Sequence, residues 1–270
     1  MKQFTQKVLF IGCGNMGSAL VEGLCQDGWH RKMEFHLFDK ISSRAEVLAQ
    51  RFDLKTAKPP FDGKQYHFIF LAVKPKDLPS VTPLLENLVG STIVSLLAGT
   101  SISKVSEALP GAQGYVRIMP NLCVEVGEAV IPVVFSDTVP QEHREDLLFL
   151  LASLGWVFEV QEAEIDSLTA LSGSGPAFVA LFIEAMMDGG VKLGIPWEKS
   201  LKVAIQTVLG SALLLKKKAL HPGEFRSRVA SPAGTTIFGL HALEEGKLKS
   251  TVMKALEVSF NRAKGLTSEE

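Results

Sequence analysis

A doubly wound α/β sheet followed by an all-helical region is the architecture this sequence predicts, on three observations. Near the N-terminus, strand-forming residues run directly into Gly12-x-Gly14-x-x-Gly17 and then into a helical period of Met16, Leu20 and Leu24. Apolar strand-like runs then alternate with helical ones as far as Glu162. Beyond that residue the strand signal stops and only helices follow. A sheet domain over residues 1–162 and a helical domain over residues 163–270 are expected.

Each glycine of the opening loop has its own task. Gly12 turns the chain, Gly14 lets the backbone approach a pyrophosphate with no Cβ in the way, and Gly17 lets the helix pack closely on the strand. The helix, opening at Asn15 and Met16, aims free N–H groups and the positive end of its dipole at the phosphates. This is the dinucleotide fingerprint of the Rossmann fold. It calls for an acid about 20 residues further on to meet the ribose hydroxyls, and Asp39 closes the next alternating run, 34–39. Asp39 favours NADH; Lys40 beside it and Arg44 in the next helix suit the 2′-phosphate of NADPH.

The run 67–73 is continuously apolar, as in a strand buried on both faces of a parallel sheet. It ends in Lys74-Pro75, and Asp77 and Pro79 open a helix. Ligands of open α/β sheets lie at the carboxyl ends of the strands, which puts Ala72, Val73, Lys74 and Pro75 on the cofactor side. The strand 92–97 ends at Ala98-Gly99 on the same edge. The strand 113–118 runs into Met119-Pro120-Asn121, where Pro120 stops pairing and Asn121 carries a donor and an acceptor at the rim, a candidate to bind the substrate. Runs 128–135 and 156–160 are the last strands, flanking a helix over 141–154.

In the second region Leu168, Leu171, Phe178, Leu181, Phe182, Ala185 and Met186 mark a long apolar helix, interrupted at 172–177 by Ser-Gly-Ser-Gly-Pro-Ala. Two glycines and a proline cost a helix roughly 5 kcal/mol in sum, so the interruption has a purpose: close approach of a neighbouring helix or of a ligand. Helices over 197–217, 221–229, 235–243 and 247–264 follow, the last with Leu248, Val252, Leu256, Ser259 and Ala263 in one stripe. So much apolar helix makes a thin core for an independent domain, and pairing between subunits, at least into a dimer, is the remedy. Ser231, Gly234, Thr235 and Thr236 stand before one of these helices. They are capping chemistry, and the same uncapped N–H groups and hydroxyls make a carboxylate site.

With 46% hydrophobic and 21% charged residues and a formal net charge of −1, the chain has an ordinary globular composition and no general attraction to nucleic acid or acidic lipid. Its three cysteines form no Cys-x-x-Cys pair, so neither a disulfide framework nor a zinc site is signalled, and a reducing, cytoplasmic setting is the default. No uncharged run reaches the roughly 18 residues of a membrane helix.

Six motifs in order, GCGNMGSAL at 12–20, FLAVKP at 70–75, MPN at 119–121, ALSGSGPAF at 170–178, DGGVKLG at 188–194 and ASPAGTTI at 230–237, resemble the pyrroline-5-carboxylate reductase family. The resemblance implies an N-terminal Rossmann domain, a C-terminal helical domain that dimerises, and often a pentamer of dimers. It implies that the glycine loop and Ala72 to Pro75 hold NADPH or NADH, with Ala98 on the nicotinamide side. Thr169 and the 172–176 segment would adjoin the substrate pocket. Ser231, Gly234, Thr235 and Thr236 would bind the substrate carboxylate from the partner subunit, the Thr236 hydroxyl lying near the ring nitrogen. Two departures stand out: Leu122-Cys123 follows MPN where the family usually has Thr-Pro, and Ala233 replaces a common glycine.

The implied reaction moves a hydride from the nicotinamide to the C5 carbon of a cyclic imine carboxylate, giving proline. A protonated imine is already electrophilic, so a hydroxyl near nitrogen suffices, and holding the two reactants face to face is worth up to about 10 kcal/mol. A β-hydroxyacid dehydrogenase, the nearest rival, would carry a Lys-x-x-x-Asn motif, which the sequence lacks. A dimeric NAD(P)H sensor would keep the glycine loop but have no use for the 231–236 loop.

Overall fold

The computed structural model describes residues 6–268. Its strands are β1 (Lys7–Ile11), β2 (Glu34–Phe38), β3 (Lys55–Thr56), β4 (Phe61–Asp62), β5 (Phe68–Leu71), β6 (Leu85–Glu86), β7 (Thr92–Ser95), β8 (Gly114–Ile118), β9 (Ala129–Phe135) and β10 (Gly155–Glu159). Its helices are α1 (Asn15–Gln26), α2 (Ser42–Phe52), α3 (Leu78–Val81), α4 (Ile102–Ala108), α5 (Gln141–Ala152), α6 (Ile165–Leu168), α7 (Gly175–Lys192), α8 (Trp197–Lys218), α9 (Pro222–Val229), α10 (Thr235–Glu245) and α11 (Leu248–Ser268). The chain forms two compact units, one running through Ser174 and resuming at Ser259, the other spanning Gly175–Val258.

In the first unit eight strands form one sheet in the order β10-β9-β8-β7-β5-β1-β2-β3. The order reverses beside β1, which creates the crevice where such sheets bind ligands. Apolar side chains of β1 feed both faces: Val8 and Phe10 one core, Leu9 and Ile11 the other. Phe10 stacks on Phe70 of β5, with ring centroids 4.9 Å apart. Continuous apolar runs are what a sheet covered on both sides demands.

All pairings in this sheet are parallel except β8 with β9. The link between those two holds only a 3₁₀ turn, Leu122–Val126, too short for the helical crossover that parallel pairing requires. The helix expected after Asp77 is a 3₁₀ turn, Pro75–Asp77, and the single turn α3. A separate two-stranded pair, β4 with β6, carries no periodic signal in the sequence.

The segment 172–177 does not break its helix. One helical run extends over Glu162–Lys192, widened into a π turn at Thr169–Gly173. By length and composition this run is apolar enough to cross a membrane.

In the second unit α7 and α8 pack closely because Gly190 has no Cβ to meet the Ser200 hydroxyl, which donates to the Met187 carbonyl at 2.7 Å. Among the described residues of this unit only Met187, Ser200 and Ala204 are buried. Leu181, Phe182, Trp197, Leu209, Phe238 and Met253 each stand more than 40% exposed.

Candidate active site

The glycine loop lies at the carboxyl end of β1. Gly12 has φ +103°, and a Cβ there would stand 2.6 Å from the Ala72 carbonyl oxygen and 3.1 Å from a Val73 methyl. Gly17 faces the Gly12 carbonyl, and a Cβ on it would stand 3.1 Å from that of Ala72. Ala72 and Val73, just past β5, thus form the wall against which the loop is folded. Gly14 is the opposite case: a Cβ there would meet nothing within 4 Å. No side chain caps α1, so the N–H groups at Asn15, Met16 and Gly17 face this open space. Room for a pyrophosphate and unpaired donors aimed at it fit a dinucleotide.

Asp39 is buried at the end of β2. Its Oδ2 accepts from the Cys13 N–H at 2.7 Å and its Oδ1 from the Ile41 N–H at 2.8 Å, so it braces the glycine loop while each oxygen keeps lone pairs for a ribose. Burial, and next the Asp39 charge, push the Cys13 thiol up to about 12, leaving it protonated and unreactive. Lys40 reaches across to Asp77, 2.8 Å away, and that contact pulls the Asp77 carboxyl below its usual range. The N-terminus of α2 has no side-chain cap. Ser43 and Arg44 there line an open groove of about 350 Å³ with Cys13 and Ser18. An anionic 2′-phosphate suits that corner.

Lys74 is exposed and Pro75 half-buried at the rim beyond Val73. Ala98, half-buried past β7, packs against a small cluster that includes Met119, Val134 and Ile165. Ala72, Ala98 and Asn121 thus follow β5, β7 and β8 in turn at one edge of the sheet.

Asn121 is 6% exposed. Its Oδ1 accepts from the Cys123 N–H at 3.2 Å and its Nδ2 donates to the Ser172 carbonyl at 3.0 Å. In the same turn the Thr169 hydroxyl donates to the Ile165 carbonyl at 2.7 Å and the Ser172 hydroxyl to the Leu168 carbonyl at 2.8 Å. With their protons committed, both hydroxyls offer only lone pairs to a ligand.

Sequence reasoning missed Arg117 and Glu162. Arg117, on β8 and 3% exposed, places Nη1 3.1 Å from Glu162 Oε1 and Nη2 4.0 Å from Asp166. The same Glu162 oxygen accepts from the Ile102 N–H at 2.8 Å, tying the start of the 162–173 segment to both β8 and α4. An arginine inside an otherwise apolar strand was the available signal.

In the second unit, the loop before α10 is tied by the Gly234 N–H, which donates to the Ser231 carbonyl at 3.0 Å. A Cβ on Gly234 would meet the Ser231 hydroxyl, which would have to turn away. Ala233 has φ +55°, the left-handed conformation that glycine adopts freely. No side chain caps α10, leaving its first N–H groups open beside the exposed Ser231 and Thr235 and the half-buried Thr236. Among the described residues no three His, Cys, Asp or Glu side chains are grouped to hold a metal.

A family profile for pyrroline-5-carboxylate reductase dimerisation matches residues 162–266, and one for coenzyme F420-dependent NADP oxidoreductases matches residues 7–99. A pyrroline-5-carboxylate reductase of Aquifex aeolicus is 36% identical over 97% of this chain and 98% of that protein. One from Methanosarcina acetivorans is 35% identical over 97% and 98%. The crystal structure of the 1-pyrroline-5-carboxylate reductase of Streptococcus pyogenes superposes with a TM-score of 0.87 at 33% identity, covering 97% of this chain and 99% of that one. A Plasmodium falciparum pyrroline carboxylate reductase with NADP bound gives 0.85 at 29% identity over 97% and 98%. On full-length similarity at this level, the chain belongs to the pyrroline-5-carboxylate reductase family.

Proposed function

We propose that this protein reduces the cyclic imine of 1-pyrroline-5-carboxylate to L-proline with NADPH or NADH. The observation that carries this is the open space at Gly14 beneath the uncapped start of α1, in a chain 36% identical to a pyrroline-5-carboxylate reductase over its whole length.

The bound dinucleotide supplies a hydride to the imine carbon. Gly14, Asn15, Met16 and Gly17 hold its pyrophosphate by backbone N–H groups, and Gly12, whose own N–H donates to the Phe38 carbonyl at 2.8 Å, turns the loop beneath it. Asp39 meets the ribose, Lys40 and Arg44 a 2′-phosphate when present, and Ala72, Val73, Lys74, Pro75 and Ala98 line the way to the ring. Ser231, Gly234, Thr235 and Thr236 grip the substrate carboxylate with the open N–H groups and hydroxyls of the α10 start. Thr236 sets its hydroxyl beside the ring nitrogen, and Thr169, its proton committed to Ile165, accepts from the N–H of the protonated imine. Catalysis rests on holding two planar groups face to face, with no strong acid required.

We infer a dimer from the exposed apolar surface of the second unit, in which one subunit's 231–236 loop serves its partner's cofactor site, and an assembly up to a pentamer of dimers. That surface, the apolar stretch within Glu162–Lys192 included, is assigned to helix pairing and not to lipid. Cys13, Cys25 and Cys123 are free, which suits a reducing cytoplasm.

The test is oxidation of NADPH and of NADH with and without pyrroline-5-carboxylate. Oxidation that depends on the imine is expected; its absence with both cofactors contradicts the proposal. Thr236→Ala should lower kcat/KM for the imine at least about tenfold, as loss of one hydrogen bond to a charged group does, with the cofactor Kd nearly unchanged. Equal loss of both would misplace the residue.

A further inference from the structure

We propose that Asn121 is a positioning residue for the substrate pocket: its amide supplies, at the Ser172 carbonyl, the hydrogen bond that Pro176 cannot, and so fixes the π turn bearing Thr169 and Ser172. In an α-helix the carbonyl of residue 172 accepts from the N–H of residue 176. Residue 176 is proline, which has no N–H. Asn121 Nδ2 donates to that carbonyl at 3.0 Å.

The amide has no freedom to do otherwise. It is 6% exposed, and its other end accepts from the Cys123 N–H to cap the turn Leu122–Val126. A backbone donor on one side and a backbone acceptor on the other fix which atom is oxygen and which nitrogen.

The turn it grips is irregular. The Ser174 N–H donates five residues back, to the Thr169 carbonyl at 3.1 Å, and the hydroxyls of Thr169 and Ser172 each donate to a carbonyl four residues back. Short π turns of this kind occur at functional sites, where they re-aim side chains. Here the turn decides where two sets of hydroxyl lone pairs point. Asn121 therefore acts through Thr169 and Ser172 and touches no reacting atom. This inference rests on the proposed function only in taking the turn to border the imine pocket.

The experiment pairs Asn121→Ser with Pro176→Ala. Serine keeps an acceptor for the Cys123 N–H but is too short to reach Ser172. Alanine at 176 restores the missing N–H. In Asn121→Ser, the Ser174 amide should exchange with deuterium about tenfold faster and the KM for the imine rise about tenfold, the size expected for one net hydrogen bond. The Kd for NADPH should stay within about twofold, since the two hydrogen bonds of the Asn121 amide go to Ser172 and Cys123 and neither goes to the glycine loop. Adding Asn121→Ser to Pro176→Ala should leave Ser174 exchange within about threefold of Pro176→Ala alone.

Wild-type exchange in Asn121→Ser, or the same acceleration with and without Pro176→Ala, would overturn the proposal. If the unaltered protein does not reduce the imine, the proposed function fails and the exchange pair alone decides the role of Asn121. Should Asn121→Ser not fold, Asn121→Asp keeps the acceptor and sets oxygen against oxygen at Ser172, with the same exchange readout.

Discussion

Gly12 and Gly14 are chemically the same residue, separated by one cysteine, and the fold uses them in opposite ways. A methyl at Gly12 meets the Ala72 carbonyl at 2.6 Å from a backbone with φ +103°, whereas a methyl at Gly14 meets nothing. Gly12→Ala should therefore destabilise the protein by about 2–4 kcal/mol, the sum of left-handed strain and overpacking. Gly14→Ala should leave stability within about 0.5 kcal/mol and weaken NADPH binding at least tenfold. Denaturant titration and cofactor titration of both variants check the split. These roles were legible in the sequence because a strand–Gly-x-Gly-x-x-Gly–helix context constrains backbone, not partners. Ala233 stood out only against the resembled family, which commonly has glycine there, and its φ of +55° gives that departure a backbone consequence that the sequence did not state. The brace from Asp39 to the Cys13 N–H, and that from Asn121 to Ser172, were not, because a side chain's backbone partner across the chain is set only once the sheet has formed.

At the scale of elements, the edge of the sheet opposite the glycine loop holds a pair of histidines, His143 buried and His67 nearly so. His67, just before β5, and His143, on α5, stand with ring centroids 3.9 Å apart; His143 Nδ1 shares a hydrogen with the Thr92 hydroxyl at 2.7 Å, and His67 Nε2 lies 3.4 Å from Asp146. Burial, and next its neighbour His143, pull His67 down to about 4, and burial lowers His143 as well. The unfolded chain takes up these protons near pH 6.5 and the folded one resists, so stability should fall as pH drops below about 6.5, the share of His67 being fully lost below about 4. Thermal unfolding between those limits should show the decline, and His67→Gln should flatten it; an unchanged acid slope in that variant would remove the pair as its cause. Strand and helix identities were readable from apolar runs. The antiparallel β8–β9 pairing was not drawn from the sequence, although the short 119–128 link implies it. The continuous helix through 172–177 was hidden for a different reason: residue propensities cannot register that a distant amide, that of Asn121, satisfies the Ser172 carbonyl that Pro176 leaves open.

At the scale of the whole molecule, a unit that buries only Met187, Ser200 and Ala204 among its described residues while exposing Phe238, Leu181 and Met253 lacks a core of its own. A second copy is the natural cover, and the apolar stripes of the sequence announced that need without saying which residues would meet. The central claim is that a nucleotide held by one subunit faces a carboxylate grip donated by the other. Its most direct test mixes two impaired forms, Gly14→Val, which fills the phosphate cradle, and Thr236→Ala, which strips the grip. Dissociating and reassociating them in equal amounts gives half heterodimers, each with one intact site if the sites are shared. Imine-dependent NADPH oxidation should then return to about a quarter of the wild-type rate, against the residual rate of each form alone. A mixture no more active than the mean of its two components would place both halves of the site in a single subunit and contradict the claim.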